Sequence, residues 1–338
     1  MVVALLLAGV GSTRLGTARP QTSNWQPTCA AVSTVPMQWV RTGSMKERAD
    51  LDRWCAGVGL PVRIEGKRAA DAFTGSLAVV TWNTHIGGGD IGALVGDLRS
   101  GRLTGKPVTD FVLLLQEAYR EGGDVPSLAG VAWAAAQKVV GVHQQRVEAL
   151  RAAEQLGLWA VYVPSMRNGK PGATSEDRGN AIISTRPLSD LTAIELPLER
   201  QRRVAIAATI ALDGPGTPRS LRLICTHFTN MVMHHAWILS ESGRLRQSRA
   251  LAQHLPPDGP LIVGGDFNSW FGFRDSAYKE LAGRMKGATV EDRRATFGPL
   301  RLDHMLFRLP DGWHSETRRA ATKYGSDHYP LVATISIR

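Results

Sequence analysis

At six places in the chain, polar residues able to do chemistry stand at one end of an apolar run. Asn83 closes Val79-Val80-Thr81-Trp82, and Gln116 with Glu117 closes Phe111-Val112-Leu113-Leu114-Leu115. Thr226 and His227 follow Leu223-Ile224-Cys225, and Asp266 and Asn268 follow Leu261-Ile262-Val263-Gly264-Gly265. Asp303 and His304 lie between Arg301 and Phe307, while Ser326, Asp327 and His328 precede Pro330 and a last apolar run. Any one of these has an ordinary explanation, because Asp, Asn and Ser favour turns and helix caps. Their recurrence points to chemistry. Strand ends of layered α/β folds converge on one rim, where side chains distant in sequence meet. Carboxylates, asparagines and histidines gathered there suit a hard divalent cation and groups that move protons. No Cys/His spacing of the zinc type occurs, so oxygen ligands favour Mg²⁺ or Mn²⁺.

Seven segments, in order, carry a family resemblance: Thr81-Trp82-Asn83, Leu115-Gln116-Glu117, Arg178-Gly179-Asn180-Ala181-Ile182, Thr226-His227, Gly264-Gly265-Asp266-Phe267-Asn268, Arg301-Leu302-Asp303-His304 and Gly325-Ser326-Asp327-His328. From Leu77 to the C-terminus the chain resembles the endonuclease/exonuclease/phosphatase superfamily, which includes deoxyribonucleases, neutral sphingomyelinases and inositol polyphosphate phosphatases. The resemblance implies an α/β protein, a four-layer α/β/β/α sandwich with two packed mixed β-sheets and the site at one end of them. It implies Glu117 as the principal metal ligand, with Asn83 and Asp327 in support. Asp266 would orient or deprotonate the attacking water and Asn268 would hold that water or a phosphate oxygen. His227 would donate to a phosphate oxygen, as would His328 held by Asp303, and Asn180 would make a second phosphate contact. The implied activity is metal-dependent hydrolysis of a phosphodiester, in the first place as a nuclease. A sphingomyelinase-like phospholipid phosphodiesterase or a phosphatase is the alternative, and a catalytically silent binding module the remote one.

The elements that must position these residues are legible as period. Beta-branched runs alternate with helical patterns from Leu77 onward, and the spacing of Ile91, Leu94, Val95 and Leu98 predicts a helix. Leu245, Ser248, Leu251, Ala252 and Leu255 predict a second, and Gln144 to Leu156 a third. Alternation along the strand turns His304 away from Asp303. Residues 11 to 50 are rich in Thr, Ser, Pro and Gly without period. The expected division is therefore a leader, linker and N-terminal extension over 1–70 and a catalytic domain over 71–338.

Composition excludes disorder and a multi-span membrane protein, with 43% hydrophobic and 21% charged residues and no apolar run long enough for a transmembrane segment. Forty basic against 30 acidic residues leave a formal charge of +10, which favours a polyanionic partner, nucleic acid or an anionic phospholipid surface. The arginines gather at Arg200, Arg202 and Arg203, at Arg244, Arg246 and Arg249, at Arg293 and Arg294, and at Arg318 and Arg319, either as a solvated face or a substrate groove. Val2 to Val10 resembles the apolar centre of a secretory signal without its basic leader, an expectation of a secreted or periplasmic protein and otherwise a cytoplasmic one. Export would permit a Cys29–Cys55 disulfide and leave Cys225 a buried thiol. Trp270, Phe271 and Phe273 could touch a lipid, stack on a base or fill the core.

Overall fold

The strands form where apolar residues are needed on both faces. In β3 (Ser76–Asn83), Leu77 and Val79 join one buried cluster and Ala78, Val80 and Trp82 another. The next strand, β4 (Phe111–Glu121), divides Val112 and Leu114 from Phe111, Leu113 and Leu115 in the same way. A strand covered on both sides reads as a continuous apolar run, which is the pattern of these segments. The computed structural model describes residues 35–41, 47–67, 72–126, 146–168, 175–213, 219–230, 242–285 and 292–337.

Among these, one sheet has six strands in the order β1 (Gln38–Arg41), β7 (Ser189–Glu195), β8 (Val204–Ala211), β9 (Ser220–His227), β10 (Leu261–Asp266) and β11 (Asp303–Arg308). The other has seven, ordered β12 (Trp313–Arg319), β13 (Leu331–Ile337), β3, β4, β6 (Glu176–Ser184), β5 (Trp159–Asn168) and β2 (Val62–Ile64). Both are mixed: β9 with β10 and β3 with β4 are parallel, whereas β10 with β11 and β13 with β3 are antiparallel.

Three apolar layers hold four structural ones together. Leu77, Val79, Val112, Leu114, Ile206, Cys225 and Ile262 lie between the sheets. Helices α2 (Ile91–Ser100) and α3 (Ala149–Leu156) cover the seven-stranded sheet through Ile91, Leu94, Val95, Leu98, Ala149 and Ala153. Helices α4 (Ser242–Ala252) and α5 (Ser276–Ala282) cover the six-stranded sheet through Leu251, Ala252, Ala277 and Leu281. The architecture is the expected α/β/β/α sandwich. The helix expected from Gln144 starts at Ala149, because Glu148 is still extended, bridging Tyr119 and accepting from the Glu121 N–H with its carboxylate.

The structure adds to several of these expectations. The described parts of the segment set apart as 1–70 pack with the rest: β1 pairs with β7, β2 pairs with β5, and α1 (Arg48–Ala56) buries Leu51 and Trp54. Edge strands pair on one side only, so these short pieces lack the long apolar run that marks the central ones. The arginine groups are not uniformly solvent-facing. Arg202 is 0% exposed and pairs with Glu195 at 2.7 Å while donating to the Pro164 and Ser165 carbonyls of β5 in the other sheet. Arg244 is likewise buried against Asp275 at 3.0 Å. Cys55 is disulfide-bonded and Cys225 is a free, buried thiol; Cys29 lies outside the described residues, as does the apolar run Val2 to Val10. No helix among the described residues is long and apolar enough to cross a membrane.

Candidate functional site

Strand register assembles one half of the site. His227 is opposite Asp266 across the parallel pair β9 and β10, and Asp266 is opposite Asp303 across β10 and β11. All three continue the face that Cys225, Ile262 and Met305 present to the other sheet. Glycine permits close approach there: a Cβ on Gly264 would stand 2.7 Å from Leu114 of the facing sheet, and one on Gly265 only 2.0 Å from the Thr226 carbonyl oxygen of the neighbouring strand.

The other half comes from the seven-stranded sheet, where Asn83 is opposite Gln116 across β3 and β4. Gln116 is buried and donates to Thr81 Oγ1, the Leu114 carbonyl and Cys225 Sγ, so it ties the two sheets together. Glu117 is not at a strand end, since β4 continues to Glu121. It sits in a bulge between Leu115 and Ala118 with φ of 50°, and the Thr84 hydroxyl donates to its carbonyl at 3.1 Å. Simple alternation would place Glu117 on the helix side with Leu115; the left-handed residue resets it. Glu117 then lines a small cavity with Arg178, Asn180, Arg203 and His227. Its carboxylate makes no hydrogen bond or ion pair among the described residues.

Asp266 is where the two halves meet. Its Oδ1 accepts from the backbone N–H of Asn268 at 2.9 Å, and its Oδ2 accepts from Asn83 Nδ2 at 3.0 Å. His227 Nε2 lies 3.4 Å from the same Oδ2 and His328 Nε2 lies 4.0 Å from it. Burial, and after it the charge of Asp303, push the Asp266 carboxyl up to about 7. His328 Nδ1 is 2.7 Å from Asp303 Oδ2, and its ring packs on Phe297 at 4.8 Å between centroids. Burial opposes charge on this ring, but Asp303 overrides it and pushes His328 up to about 10. His227 goes the other way: burial, then the Arg203 guanidinium, hold it well below the ordinary histidine range. Asp327 is half-exposed, its Oδ1 being 4.0 Å from His328 Nε2 and 3.7 Å from His85 Nδ1.

All nine candidate residues therefore lie at one rim, and besides Asn83 two more asparagines have their amide donors engaged. Asn180 Nδ2 donates to the Val204 carbonyl at 2.7 Å, and Asn268 Nδ2 to the Phe228 carbonyl at 2.9 Å, so each has its acceptor oxygen left to offer. His304 faces away from Asp303 as expected, against Ser269 Oγ at 2.6 Å and beside Phe267 and Tyr278. Sequence reasoning gave no positioning role to the residues that hold the others in place. The Ser326 hydroxyl donates to the Asn83 carbonyl and accepts from the His328 N–H. Thr296 Oγ1 accepts from the Leu302 and Asp303 N–H groups, and the Trp82 indole donates to the His328 carbonyl. Arg203, hidden in a run of basic residues, contacts His227 at 3.1 Å. Nothing local in the sequence marks these contacts.

Comparison with known proteins identifies a family and a shared fold. The chain matches the model described as the Endonuclease/Exonuclease/phosphatase family over residues 80–328. It is 30% identical to the UPF0294 protein VP2298 of Vibrio parahaemolyticus over 122 residues, which cover 35% of this chain and 41% of that one. It is 26% identical to the protein YbhP of Escherichia coli over 170 residues, 47% of this chain and 63% of that one. In each case the match spans less than two thirds of the relative. The crystal structure of an endonuclease/exonuclease/phosphatase from Beutenbergia cavernae shares the fold, with a TM-score of 0.54 at 18% identity over 78% of this chain and 72% of that one.

Proposed function

Because the chain belongs to the endonuclease/exonuclease/phosphatase family, we propose that it hydrolyses phosphodiester bonds by attack of water, with a nucleic acid as substrate and Mg²⁺ or Mn²⁺ as cofactor. The observation that carries the proposal is the convergence on Asp266 Oδ2 of Asn83 and His227, from the ends of two strands, and of His328, from the segment that leads into β13, all within 4.0 Å. An anionic diester repels a nucleophile, so catalysis needs fixed positive groups around the phosphorus and a carboxylate that holds the water.

Glu117, Asn83 and Asp327 would hold the cation. They fit it by donor chemistry, since all offer oxygen and the Glu117 carboxylate makes no hydrogen bond or ion pair among the described residues. When bound, the ion would offset charge on the phosphate oxygens and polarise the phosphoryl group. Asp266, Asp303 and His328 also offer ligand atoms within 4.8 Å of one another. We assign them instead to proton handling, because Asp303 Oδ2 is already spent on His328 Nδ1 and an imidazole raised by that carboxylate carries its protons rather than lone pairs. Asp266, gripped at Oδ1 by the Asn268 N–H, presents Oδ2 as the acceptor that orients the water. His328 and His227 point their Nε2 atoms at the same place and donate to the phosphate oxygens that gain charge.

Support for a polyanionic substrate comes from the rim beside His328, where Arg319 lies 4.0 Å and Lys323 4.9 Å over the Tyr329 ring. A phospholipid head group is the second reading, favoured by Phe271, 45% exposed and close in sequence to Asn268. The test is turnover of plasmid DNA, single-stranded RNA, sphingomyelin and bis(p-nitrophenyl) phosphate with Mg²⁺ and with chelator. Chelator-sensitive cleavage of nucleic acid is expected. Sphingomyelin turnover without it would establish the second reading, and inertness towards every substrate would refute both.

A further inference from the structure

We infer that Arg203 is a positioning residue for His227: it holds that imidazole with its proton on Nε2, the nitrogen that faces Asp266. The inference rests on the reading of this site as one that hydrolyses phosphate esters, and it concerns a residue to which that reading gives no part.

The argument is one of donors and acceptors. Arg203 Nη1 is 3.1 Å from His227 Nδ1, and both side chains are buried. A guanidinium has N–H donors and no acceptor, so Nδ1 must receive the hydrogen bond through its lone pair, and the ring proton is left to Nε2. Nε2 lies 3.4 Å from Asp266 Oδ2. The opposite tautomer would set N–H against N–H on one side and a lone pair against a carboxylate on the other.

Arg203 is itself held. Its Nη2 donates to Gln201 Oε1 at 3.1 Å, its carbonyl accepts from the Leu196 N–H at 3.0 Å, and the next carbonyl, of Val204, accepts from Asn180. This gives Asn180 a place in the same arrangement: it fixes the backbone that carries the guanidinium. The two imidazoles thus present Nε2–H towards one carboxylate oxygen for opposite reasons. Asp303 holds a proton on His328 Nδ1, whereas Arg203 keeps the proton off His227 Nδ1. With Asn83 Nδ2 as a third donor, Asp266 Oδ2 is surrounded by N–H groups.

The test is long-range ¹H–¹⁵N NMR of the full chain labelled at histidine, with His227 assigned by its loss in His227→Gln, alongside kinetics on bis(p-nitrophenyl) phosphate with Mg²⁺. Wild type should show His227 protonated on Nε2 alone. In Arg203→Met the two tautomers should mix, kcat should fall by about 10²-fold with KM changed by less than about twofold, and Arg203→Lys should recover the tautomer and part of the rate. Protonation on Nδ1 in wild type overturns the inference, as does an Arg203→Met protein that loses activity with the Nε2 tautomer intact. Should Arg203→Met fail to fold, the wild-type spectrum decides alone. An inactive wild type with the expected tautomer would count against the hydrolase and leave the role of Arg203 standing.

Discussion

At the scale of single residues, the site divides into groups held by hydrogen bonds and one group held by none. Glu117 is the exception, kept in place by its backbone and left with a bare carboxylate. Glu117→Gln should therefore cost little stability, weaken Mg²⁺ binding in a calorimetric titration and lower turnover by roughly 10²–10³-fold. Unchanged metal affinity would mean that the ion is held elsewhere. The pair formed by Asp303 and His328 should behave as a unit. His328→Ala is expected to reduce kcat by about 10²–10⁴-fold, and adding Asp303→Asn to cost little more, because effects within one hydrogen-bonded pair are not additive. A double-mutant cycle on kcat, with folding followed by circular dichroism, measures this, and additive losses would separate the two residues. Cys225 belongs to a different class. Burial pushes its thiol up to about 12, so a thiolate reagent should leave it unmodified in the native protein at neutral pH.

At the scale of elements, the close approach of β9 and β10 limits what can stand at their ends. Gly265→Ala would drive a Cβ into the Thr226 carbonyl beside His227 and Asp266. It should cost at least ~1–3 kcal/mol in urea denaturation and misplace both residues, lowering turnover with stability. Arg202 and Glu195 clamp β7 and β8 against β5 without solvent. Arg202→Met alone should cost about 3–5 kcal/mol, much of it recovered by also replacing Glu195 with Gln, since the lone buried carboxylate is the larger penalty. The two strands also show what a sequence makes legible. The central strands and their polar ends are readable because burial on both faces demands uninterrupted apolar residues and anything polar at the end stands out. Edge strands such as β1 and β12 are paired on one side and carry no such mark. The bulge at Glu117 is invisible because it depends on backbone torsion. Arg202, Arg203 and Arg244 look like surface charge because their partners lie elsewhere in the chain.

At the scale of the whole molecule, burying several arginines with partners leaves the rest of the excess positive charge for the surface, and part of it flanks the site. Arg319 and Lys323 lie over Tyr329, the residue next to His328. If nucleic acid is the substrate, its binding should weaken steeply with salt, by about 10³-fold between ~50 and ~200 mM for a surface engaging roughly six phosphates. Fluorescence anisotropy with a labelled oligonucleotide would measure the slope, and a flat response would turn attention to the phospholipid reading. The route of the chain through the two sheets matters before any substrate is met. Asp303 arrives with the six-stranded sheet, but His328 arrives only with β13, which must enter between β12 and β3 in the interior of the other sheet. A ribosome delivers Asn83, Glu117, His227 and Asp266 long before that strand. On the proposed reading, a chain in which β13 has not yet taken its place has no complete site, however much of the rest has folded.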